Sequence, residues 1–374
     1  MYIIEVNHLQ QLFSALEKRG YSLIGPTIRD GAILFDRLSS VADLPKGWTD
    51  DQRAGSYALR KRNDDALFGY VIGPVSWKKF LFPPRVRLLS ATKTGHGFHI
   101  DKDSSEDEAL TRKLAFIGIR SCELSALALH DKIFTAGEYV DPTYRKIREN
   151  ACLVTVDCLV PGGNCFCASL NTGPRAEEGF DLALTEILSG SAHWVGVRTG
   201  SALGKELMNE VEHREATPEE EESAVAAAKA AGSKMGRQIS MDNVKQMLYQ
   251  NFDDQSWDDM AKRCLACANC TMVCPTCFCS TVEDTTDLTG THAERTRRWD
   301  SCFTMDFARV AGGNMRPSTR ARYRQWFMHK FAYWEDQFGH PGCVGCGRCI
   351  TWCPVGIDVT VELNALTGTN HTKA

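Results

Sequence analysis

Residues 264–279 read CLACANCTMVCPTCFC and place six cysteines within sixteen positions. Cys264, Cys267, Cys270 and Cys274 are separated by two, two and three residues, and Pro275 follows the last of them. A single tetrahedral metal site takes four thiolates, so this stretch supplies more ligands than one such site uses. Assigning a role to each cysteine is therefore the first step toward the fold and the chemistry of the chain.

A second copy of the pattern lies at residues 343–354, CVGCGRCITWCP. The repeated spacing C-x2-C-x2-C-x3-C-P is that of bacterial ferredoxins, in which three closely spaced thiolates bind one cluster and the fourth binds the neighbouring cluster. The repeat therefore predicts two 4Fe-4S clusters. The ligands predicted for the first cluster are Cys264, Cys267, Cys270 and Cys353, and those for the second are Cys343, Cys346, Cys349 and Cys274.

Structural zinc is the alternative occupant of four-thiolate sites. Zinc modules usually pair two C-x2-C knuckles and do not run three cysteines and a Cys-Pro together, so the spacing favours iron and sulfide. The two motifs start 79 residues apart, which is more than a compact ferredoxin needs. That separation predicts a helical ferredoxin module of the kind found in iron-sulfur subunits of larger oxidoreductases.

Composition bounds the class of protein. The 374 residues, 43% of them hydrophobic, suffice for two or three domains with buried cores, and the net charge of -4 gives no electrostatic reason to expect nucleic acid. The N-terminal MYIIEVNHLQ lacks the features of a signal peptide, and no segment reaches the roughly 18 apolar residues of a membrane span, so we expect a cytoplasmic protein without membrane contact. Sixteen cysteines in that compartment indicate metal binding.

The first half of the chain predicts an α/β arrangement. Residues 114–119 read as a buried strand, 123–134 as an amphipathic helix and 152–156 as a second strand, which together form a βαβ candidate. Cys122 follows the first strand and Cys158 follows the second. Because parallel neighbours end at the same edge of a sheet, we expect the two thiols to lie close together.

The segment CLVPGGNCFC, residues 158–167, adds Cys165 and Cys167, and its proline and glycines let the backbone bend tightly around a bulky ligand. A third cluster is therefore predicted on Cys122, Cys158, Cys165 and Cys167. Ordinary buried thiols are the alternative, since free cysteine packs as a small hydrophobic residue. For Cys152, in the middle of the second strand, we expect that alternative.

A change of composition at TPEEEESAVAAAKAAG marks a domain boundary. Thr217 is placed to cap a helix, Pro218 suits its first turn, and Gly232 suits its end. The fold class expected is α+β and multidomain. The predicted parts are an α/β domain carrying the third cluster over residues 1–216, a helical linker over 217–239, and an α-helical ferredoxin domain with two 4Fe-4S clusters over 240–374.

The longest helix predicted in the ferredoxin domain covers residues 319–338. Its aromatic residues recur along one face, which predicts packing in a core. They are Tyr323, Phe327, Phe331, Trp334 and Phe338. The nearby arginines are expected on a solvated or subunit-facing surface. They are Arg316, Arg320, Arg322 and Arg324.

Three cysteines remain after these assignments. Cys277 and Cys279 lie in TCFCST, and Cys302 lies in RRWDSCF. Three thiols are one too few for a four-thiolate site. Their pattern leaves open a further cluster with a non-cysteine ligand, shielding of the neighbouring cluster, or a redox-active role of the thiols themselves.

Taken together, the motifs resemble a known family over roughly residues 110–360. IGIRSCELSALALHDKIF, DCLVPGGNCFC, CPTCFC, RRWDSC and CVGCGRCITWCPVGID resemble the β subunit of cytosolic NAD(P)-linked sulfhydrogenases and are similar to the A subunit of anaerobic sulfite reductase. The resemblance implies an electron-transfer subunit between a flavin subunit that handles NAD(P)(H) and the small and large subunits of a nickel-iron hydrogenase. The family's cysteines match both quartets, the third set, Cys277, Cys279 and Cys302, whereas Cys152 has no counterpart.

The chemistry that the sequence lacks supports this interpretation. It contains neither G-x-G-x-x-G nor G-x4-G-K-[ST], and no paired-carboxylate or His-rich site stands out, so no nucleotide, flavin or catalytic residue is predicted on this chain. The leading hypothesis is an iron-sulfur relay within an oxidoreductase complex. The alternatives are the iron-sulfur subunit of anaerobic sulfite reductase, a reductase of disulfide or polysulfide that uses Cys277, Cys279 and Cys302, and an interaction module held together by zinc.

Overall fold

The computed structural model describes residues 1–101, 112–190 and 192–368. The strands are β1 (Tyr2–Glu5), β2 (Tyr21–Arg29), β3 (Ala32–Arg37), β4 (Trp48–Arg53), β5 (Ser56–Lys61), β6 (Arg85–Thr94), β7 (Gly97–Asp101), β8 (Lys113–Ile119), β9 (Ala151–Val156), β10 (Leu182–Ser189), β11 (Ala192–Thr199), β12 (Arg214–Glu215), β13 (Ser280–Thr286), β14 (His292–Trp299), β15 (Arg309–Val310) and β16 (Gly313–Asn314). The helices are α1 (Leu9–Lys18), α2 (Lys78–Leu81), α3 (Ser121–Phe134), α4 (Pro142–Glu149), α5 (Ala202–Met208), α6 (Pro218–Ser233), α7 (Val244–Gln250), α8 (Ser256–Arg263), α9 (Asn269–Met272), α10 (Thr319–Met328), α11 (Trp334–Phe338), α12 (Arg348–Thr351) and α13 (Val359–Thr367).

A mixed sheet organises the N-terminal part. Among the described residues it has eight strands, in the order β12-β1-β11-β10-β9-β8-β2-β3. The central pairs β2-β8, β8-β9 and β9-β10 are parallel, and the outer pairs are antiparallel. Strands β8 and β9 are apolar along most of their length because helices and loops cover both faces. The predicted βαβ unit is confirmed, with the short helix α4 added between α3 and β9.

Helix α6 begins as its sequence predicts. The Thr217 side chain accepts a hydrogen bond from the Glu220 N–H at 3.3 Å, and the Glu220 carboxylate accepts one from the Thr217 N–H at 2.9 Å. This reciprocal pair is a capping box, which satisfies two N–H groups at the helix start. The predicted end is wrong by one residue. Gly232 stays within the helix, which ends at Ser233.

The region predicted to be an α-helical ferredoxin domain also contains a β-hairpin. Strands β13 and β14 pair in antiparallel fashion, and β14 pairs with β6 from the N-terminal part to give the sheet order β13-β14-β6-β7. Strand β13 contains three threonines and a valine among its seven residues, which favours extended chain over helix. The prediction of an α-helical ferredoxin domain over 240–374 is therefore corrected to a domain of helices and a β-hairpin, and the division at 217–239 stays a prediction.

The helical segment predicted over 319–338 is present but interrupted. Ser318 caps α10 by accepting from the Ala321 N–H at 3.1 Å, and Gly339, with φ of 74°, ends α11 in the left-handed conformation. Between the two helices, His329–Tyr333 form a π-helical turn. Four of the five aromatic residues in the predicted stripe are buried, so their packing in a core is confirmed.

The arginines near this helix are not a free basic surface. Arg322 is buried, which contradicts the expectation of a solvated or subunit-facing position. Arg320 pairs with Asp258 at 3.3 Å, and Arg324 pairs with Asp253 at 2.8 Å. Their charges are neutralised within the chain because α8 and the segment before it pack beside α10.

Two hydrophobic cores meet at the boundary between the sheet and the C-terminal helices. One surrounds the large sheet and includes Trp334 and Val344 from the C-terminal part, and the other lies among the C-terminal helices. The cysteine motifs lie where these cores adjoin. Across the described ranges, no helix is both long and apolar enough to cross a bilayer.

Candidate metal centres

The four cysteines predicted for the first cluster line one cavity, called the first centre below: Cys264, Cys267, Cys270 and Cys353. Cys264 follows the last residue of α8, and Cys270 lies in α9. Cys353 comes from the second motif, so the two motifs complete one site, as the crossed assignment predicts. Cys267 is exposed, which brings this centre to the surface.

The four cysteines predicted for the second cluster line a neighbouring cavity, the second centre: Cys274, Cys343, Cys346 and Cys349. Lys330, from the π-helical turn, lines the same cavity. Its ammonium group donates to Cys274 Sγ at 3.4 Å. A buried cation therefore touches one of the candidate ligand sulfurs.

The two motifs wind in the same way. Ala266 and Ala268 have φ of 50° and 67°, and the equivalent Gly345 and Gly347 have φ of 63° and 73°. Left-handed backbone lets the chain turn sharply enough to aim three closely spaced thiols at one point. The Ala266 N–H donates to Cys264 Sγ, and the Gly345 N–H donates to Cys343 Sγ, each at 3.4 Å. Such N–H donors stabilise thiolates that bind a cluster.

The cysteines predicted for a third cluster line a third cavity, the third centre: Cys122, Cys158, Cys165 and Cys167. Cys122 opens helix α3 after β8, and Cys158 follows β9, so the parallel pairing brings both thiols to one sheet edge as predicted. Gly345 packs directly against the loop that carries Cys167, and its carbonyl oxygen accepts a hydrogen bond from the Phe166 N–H at 2.8 Å. A side chain at Gly345 would meet Cys167 backbone atoms at 2.6 Å.

Shared cysteines link the three centres in a row. Cys349 lines both the first and the second cavity, and Cys346 lines both the second and the third. The second centre therefore lies between the other two. The spacing predicted the contact between the two motifs, but not the order of the three centres.

Buried donors without partners adjoin these cavities. Arg348 Nη1 and Arg120 Nε, beside the third centre, and Tyr323 Oη and Trp326 Nε1, beside the first, have no hydrogen-bond partner among the described residues. A buried polar group without a partner costs roughly 1–3 kcal/mol, so such groups call for an acceptor. Sulfide and thiolate sulfur are acceptors, and the donor set therefore fits iron-sulfur clusters at these positions.

Burial changes the proton affinity of the candidate ligands. Loss of water raises the pKa of Cys158 to about 11, that of Cys343 to about 11 and that of Cys346 to about 12. Burial opposes the charge of Lys330, yet the surrounding sulfurs, Cys274 first, hold its pKa well above the ordinary value. Thiols of this kind bind metal only with loss of their protons, so assembly of a centre replaces protons by iron.

A single bound ion and a cluster require different spacings between the thiols. Zinc held by thiolates at about 2.3 Å needs sulfurs within roughly 4 Å of one another. Within 1–101, 112–190 and 192–368, no group of three or more His, Cys, Asp or Glu side chains is arranged to hold one metal ion. The cysteines instead line three cavities, each of which is lined by all four members of one predicted quartet. A quartet of thiols around one cavity suits a polynuclear occupant.

Cys277, Cys279 and Cys302 line none of the three cavities. The thiol of Cys277 contacts that of Cys274, and the thiols of Cys279 and Cys302 contact each other. The sequence left their role open, and the structure adds the pairing of Cys279 with Cys302. Cys152 is fully buried within β9, as expected for an ordinary thiol.

A buried ion pair joins the second and third centres. Arg348 donates to Glu123 at 2.7 Å, and both side chains are almost inaccessible, at 5% and 0%. Arg348 also donates to the carbonyl of Gly73 at 2.9 Å, and Glu123 accepts from the Arg120 N–H at 3.1 Å. Arg348 lies between Cys346 and Cys349 in sequence, and Glu123 directly follows Cys122.

Sequence reasoning missed these charged residues. Lys330 carried a signal, because it is three residues after Phe327 and four before Trp334 and so lies on the buried face of the predicted helix. A lysine on an apolar face calls for a buried acceptor. Arg348 carried none, since its partner lies 225 residues away.

Comparison with known proteins gives two matches. The family model described as a 4Fe-4S dicluster domain matches residues 263–357, which contain both cysteine quartets. The β subunit of sulfhydrogenase 2 from Pyrococcus furiosus is 34% identical over 354 residues, which are 94% of this chain and 93% of that protein.

The chain belongs to the sulfhydrogenase β-subunit family. The predicted family and the role of an iron-sulfur electron-transfer subunit are thereby confirmed. No solved structure matches the chain.

Replacing Arg348 by Met should leave Glu123 as a buried carboxylate without its partner. We expect the free energy of unfolding to fall by about 3–5 kcal/mol, and by less in the double variant R348M/E123Q, where neither charge remains. Urea unfolding of the anaerobically purified chain measures the difference. Arg309→Met is the control, because its pair with Asp306 is exposed at 70% and 77%. A double variant as unstable as the single one would contradict this account.

Proposed function

We propose that this chain holds three 4Fe-4S clusters and relays electrons through them in the order third, second, first. The shared positions of Cys346 and Cys349 carry the proposal, because cavities that share a lining residue lie next to each other. Short steps between neighbouring centres are what a relay needs. The family and the dicluster match support iron-sulfur chemistry, and the number of clusters is part of the proposal.

The ligands proposed are those that the cavities group together. The first cluster takes Cys264, Cys267, Cys270 and Cys353, the second takes Cys274, Cys343, Cys346 and Cys349, and the third takes Cys122, Cys158, Cys165 and Cys167. When bound, each cluster supplies a one-electron redox centre whose potential follows its charge, hydrogen bonds and exposure. The chain fixes the spacing between centres, excludes water from the second and third, and supplies buried donors to sulfur.

The two ends of the row differ in exposure. Cys267 is exposed at the first centre, and Leu265 and Val355, which line the same cavity, are 64% and 41% exposed. The third centre lies under Met235, whose Sδ is 3.7 Å from Cys167 Sγ. We infer that the first centre exchanges electrons with a partner subunit at this apolar rim.

The partners proposed follow from the family. The relative carries the name of a sulfhydrogenase subunit, so we propose that a flavin subunit binding NAD(P)(H) and a nickel-iron hydrogenase pair stand at the two ends of the relay. No site for nucleotide or flavin is proposed on this chain. The alternative as a subunit of anaerobic sulfite reductase would use the same relay with a different partner.

One observation favours a second function. Cys279 and Cys302 are in thiol contact, as expected of a pair that could reduce a disulfide or polysulfide. Cys302, however, is only 9% exposed, which hinders access by a substrate. We therefore rank a thiol reductase below the relay.

Metal analysis tests the cofactor content. Three cubanes predict about twelve irons and as many sulfides per chain after anaerobic reconstitution, whereas two predict about eight. Cys165→Ser should lower the count by about one cluster while Cys152→Ser, the matched buried control, should leave it unchanged. Electron paramagnetic resonance of the reduced protein should show spin coupling among the centres. Zinc in place of iron would refute the relay.

Disruption of the second centre tests the order of the three centres in the relay. Cys343→Ser should impair the second centre, and we expect electron transfer through the holo complex to fall by at least tenfold although the outer centres retain their iron. Stopped-flow reduction from one end, with the first and third centres followed by their spectra, measures the rate. Transfer at the rate of the unaltered complex would show that the second centre is not between the others.

The second function has its own variant. Cys302→Ser should leave iron content and relay rate close to those of the unaltered protein, because Cys302 lines no centre. The measurement is polysulfide reduction by the isolated chain with an artificial donor, alongside electron paramagnetic resonance. Loss of such turnover with intact clusters would favour the thiol reductase over the relay.

A further inference from the structure

Lys330 is a buried lysine whose hydrogen bonds end at a candidate ligand. The residue is 6% exposed. Its Nζ lies 3.4 Å from Cys274 Sγ, 3.0 Å from Thr276 Oγ1 and 3.2 Å from the carbonyl oxygen of Gly342. The residue lies in the insert between the two cysteine motifs and belongs to neither of them.

The contacts indicate an ammonium group. A charged lysine has three N–H donors and no acceptor, and three acceptors surround Lys330. The Thr276 hydroxyl can itself donate to the Gly342 carbonyl at 2.8 Å, which leaves its oxygen free to accept from Lys330. The arrangement therefore satisfies every donor of the cation, and one of its bonds is to sulfur.

The backbone fixes this position. Lys330 lies in the π-helical turn His329–Tyr333, which widens the helix by one residue between α10 and α11. Its carbonyl accepts from the Gly342 N–H at 2.7 Å, immediately before Cys343. The lysine is thus tied by its main chain to one motif and by its side chain to the other. π-helical turns are frequent at functional sites.

A second buried lysine behaves differently. Lys78 Nζ donates to the carbonyl oxygens of Met272 at 3.2 Å, Cys274 at 2.8 Å and Cys277 at 3.3 Å, and to no sulfur. These bonds hold the loop after α9, where carbonyls lack helical partners. Lys78 therefore stabilises the backbone of this loop. Of the two lysines, only Lys330 donates a hydrogen bond to the sulfur of a candidate ligand.

We propose that Lys330 sets the reduction potential of the second cluster by donating a charge-assisted hydrogen bond to Cys274 Sγ. The inference rests on the proposed function, since it assumes a cluster at the second centre. Reduction adds a negative charge to a cluster, and a cation held against a ligand sulfur in a buried site stabilises that charge. Lys330 is a positioning and tuning residue, because it acts through Cys274.

The second centre lies between the other two, so its reduction potential affects the whole relay. Both steps of the relay pass through it, so its potential relative to its neighbours decides how easily an electron crosses in either direction. The first centre reaches the surface at Cys267, whereas the second is enclosed. An enclosed cluster without a nearby cation would resist reduction, and Lys330 offsets that resistance.

Redox titration followed by electron paramagnetic resonance tests the proposal on the reconstituted full chain. Cys274→Ser marks the signal of the second cluster. Lys330→Met should shift the reduction equilibrium of that signal at least tenfold toward the oxidised form, which is about 59 mV for a one-electron couple. Lys330→Gln keeps a donor without the charge and should shift it in the same direction by less. Lys330→Arg keeps both the donor and the charge, so the potential of the second cluster should stay close to that of the unaltered protein.

Lys245→Met is the control for loss of a positive charge, because Lys245 is 37% exposed in its pair with Asp336 and its charge is screened by solvent. It should leave every potential unchanged. An unchanged second-cluster potential in Lys330→Met, or an equal shift of all three clusters, would overturn the proposal. If Lys330→Met does not retain the second cluster, the potentials of Lys330→Gln and Lys330→Arg test the proposal instead. Loss of the cluster in Lys330→Arg as well would show that Lys330 has a purely structural role. Iron-free wild-type protein would instead refute the proposed function.

Discussion

The buried ion pair between Arg348 and Glu123 is the contact on which the arrangement of the centres depends. Arg348 belongs to the loop that carries three cysteines of the second centre, and Glu123 to the helix that begins with Cys122. Each is held by further hydrogen bonds, so the pair fixes the second cysteine motif and helix α3 relative to each other. Burying the two charges costs desolvation free energy, so the intact pair adds little net stability. Its main effect is to hold the two segments in one relative position.

Positive charge is concentrated where the cysteines are buried. Lys330 contacts the second centre, and Arg120 and Arg348 line the third. A cluster bound by four thiolates is an anion, and an anion away from water needs compensating charge. The chain as a whole is slightly acidic, at -4, so composition gives no hint of this local excess. The cations are fixed by their own hydrogen bonds, which lets them act as donors without reorganisation.

Sequence patterns predicted the features that depend on regular spacing or on the pairing of neighbouring strands. The ferredoxin spacing grouped the first two quartets, and the βαβ pattern brought Cys122 to Cys158, because both rest on contacts between neighbours in sequence or in a sheet. The ligand roles themselves stay predictions. The β13-β14 hairpin was missed, although the threonine-rich sequence of β13 carried a signal. The Arg348–Glu123 pair, whose members are 225 residues apart, has no local signature in the sequence.

The insert between the motifs explains why they stand so far apart in sequence. Its hairpin adds β13 and β14 to a sheet with β6, and its helical segment delivers Lys330 to Cys274. The second centre consequently draws on the first motif, the second motif and the insert, and Gly345 presses it against the loop of Cys167. No one segment contains a complete second centre. The second centre therefore depends on three segments of the chain, and the insert that separates the motifs supplies one of them.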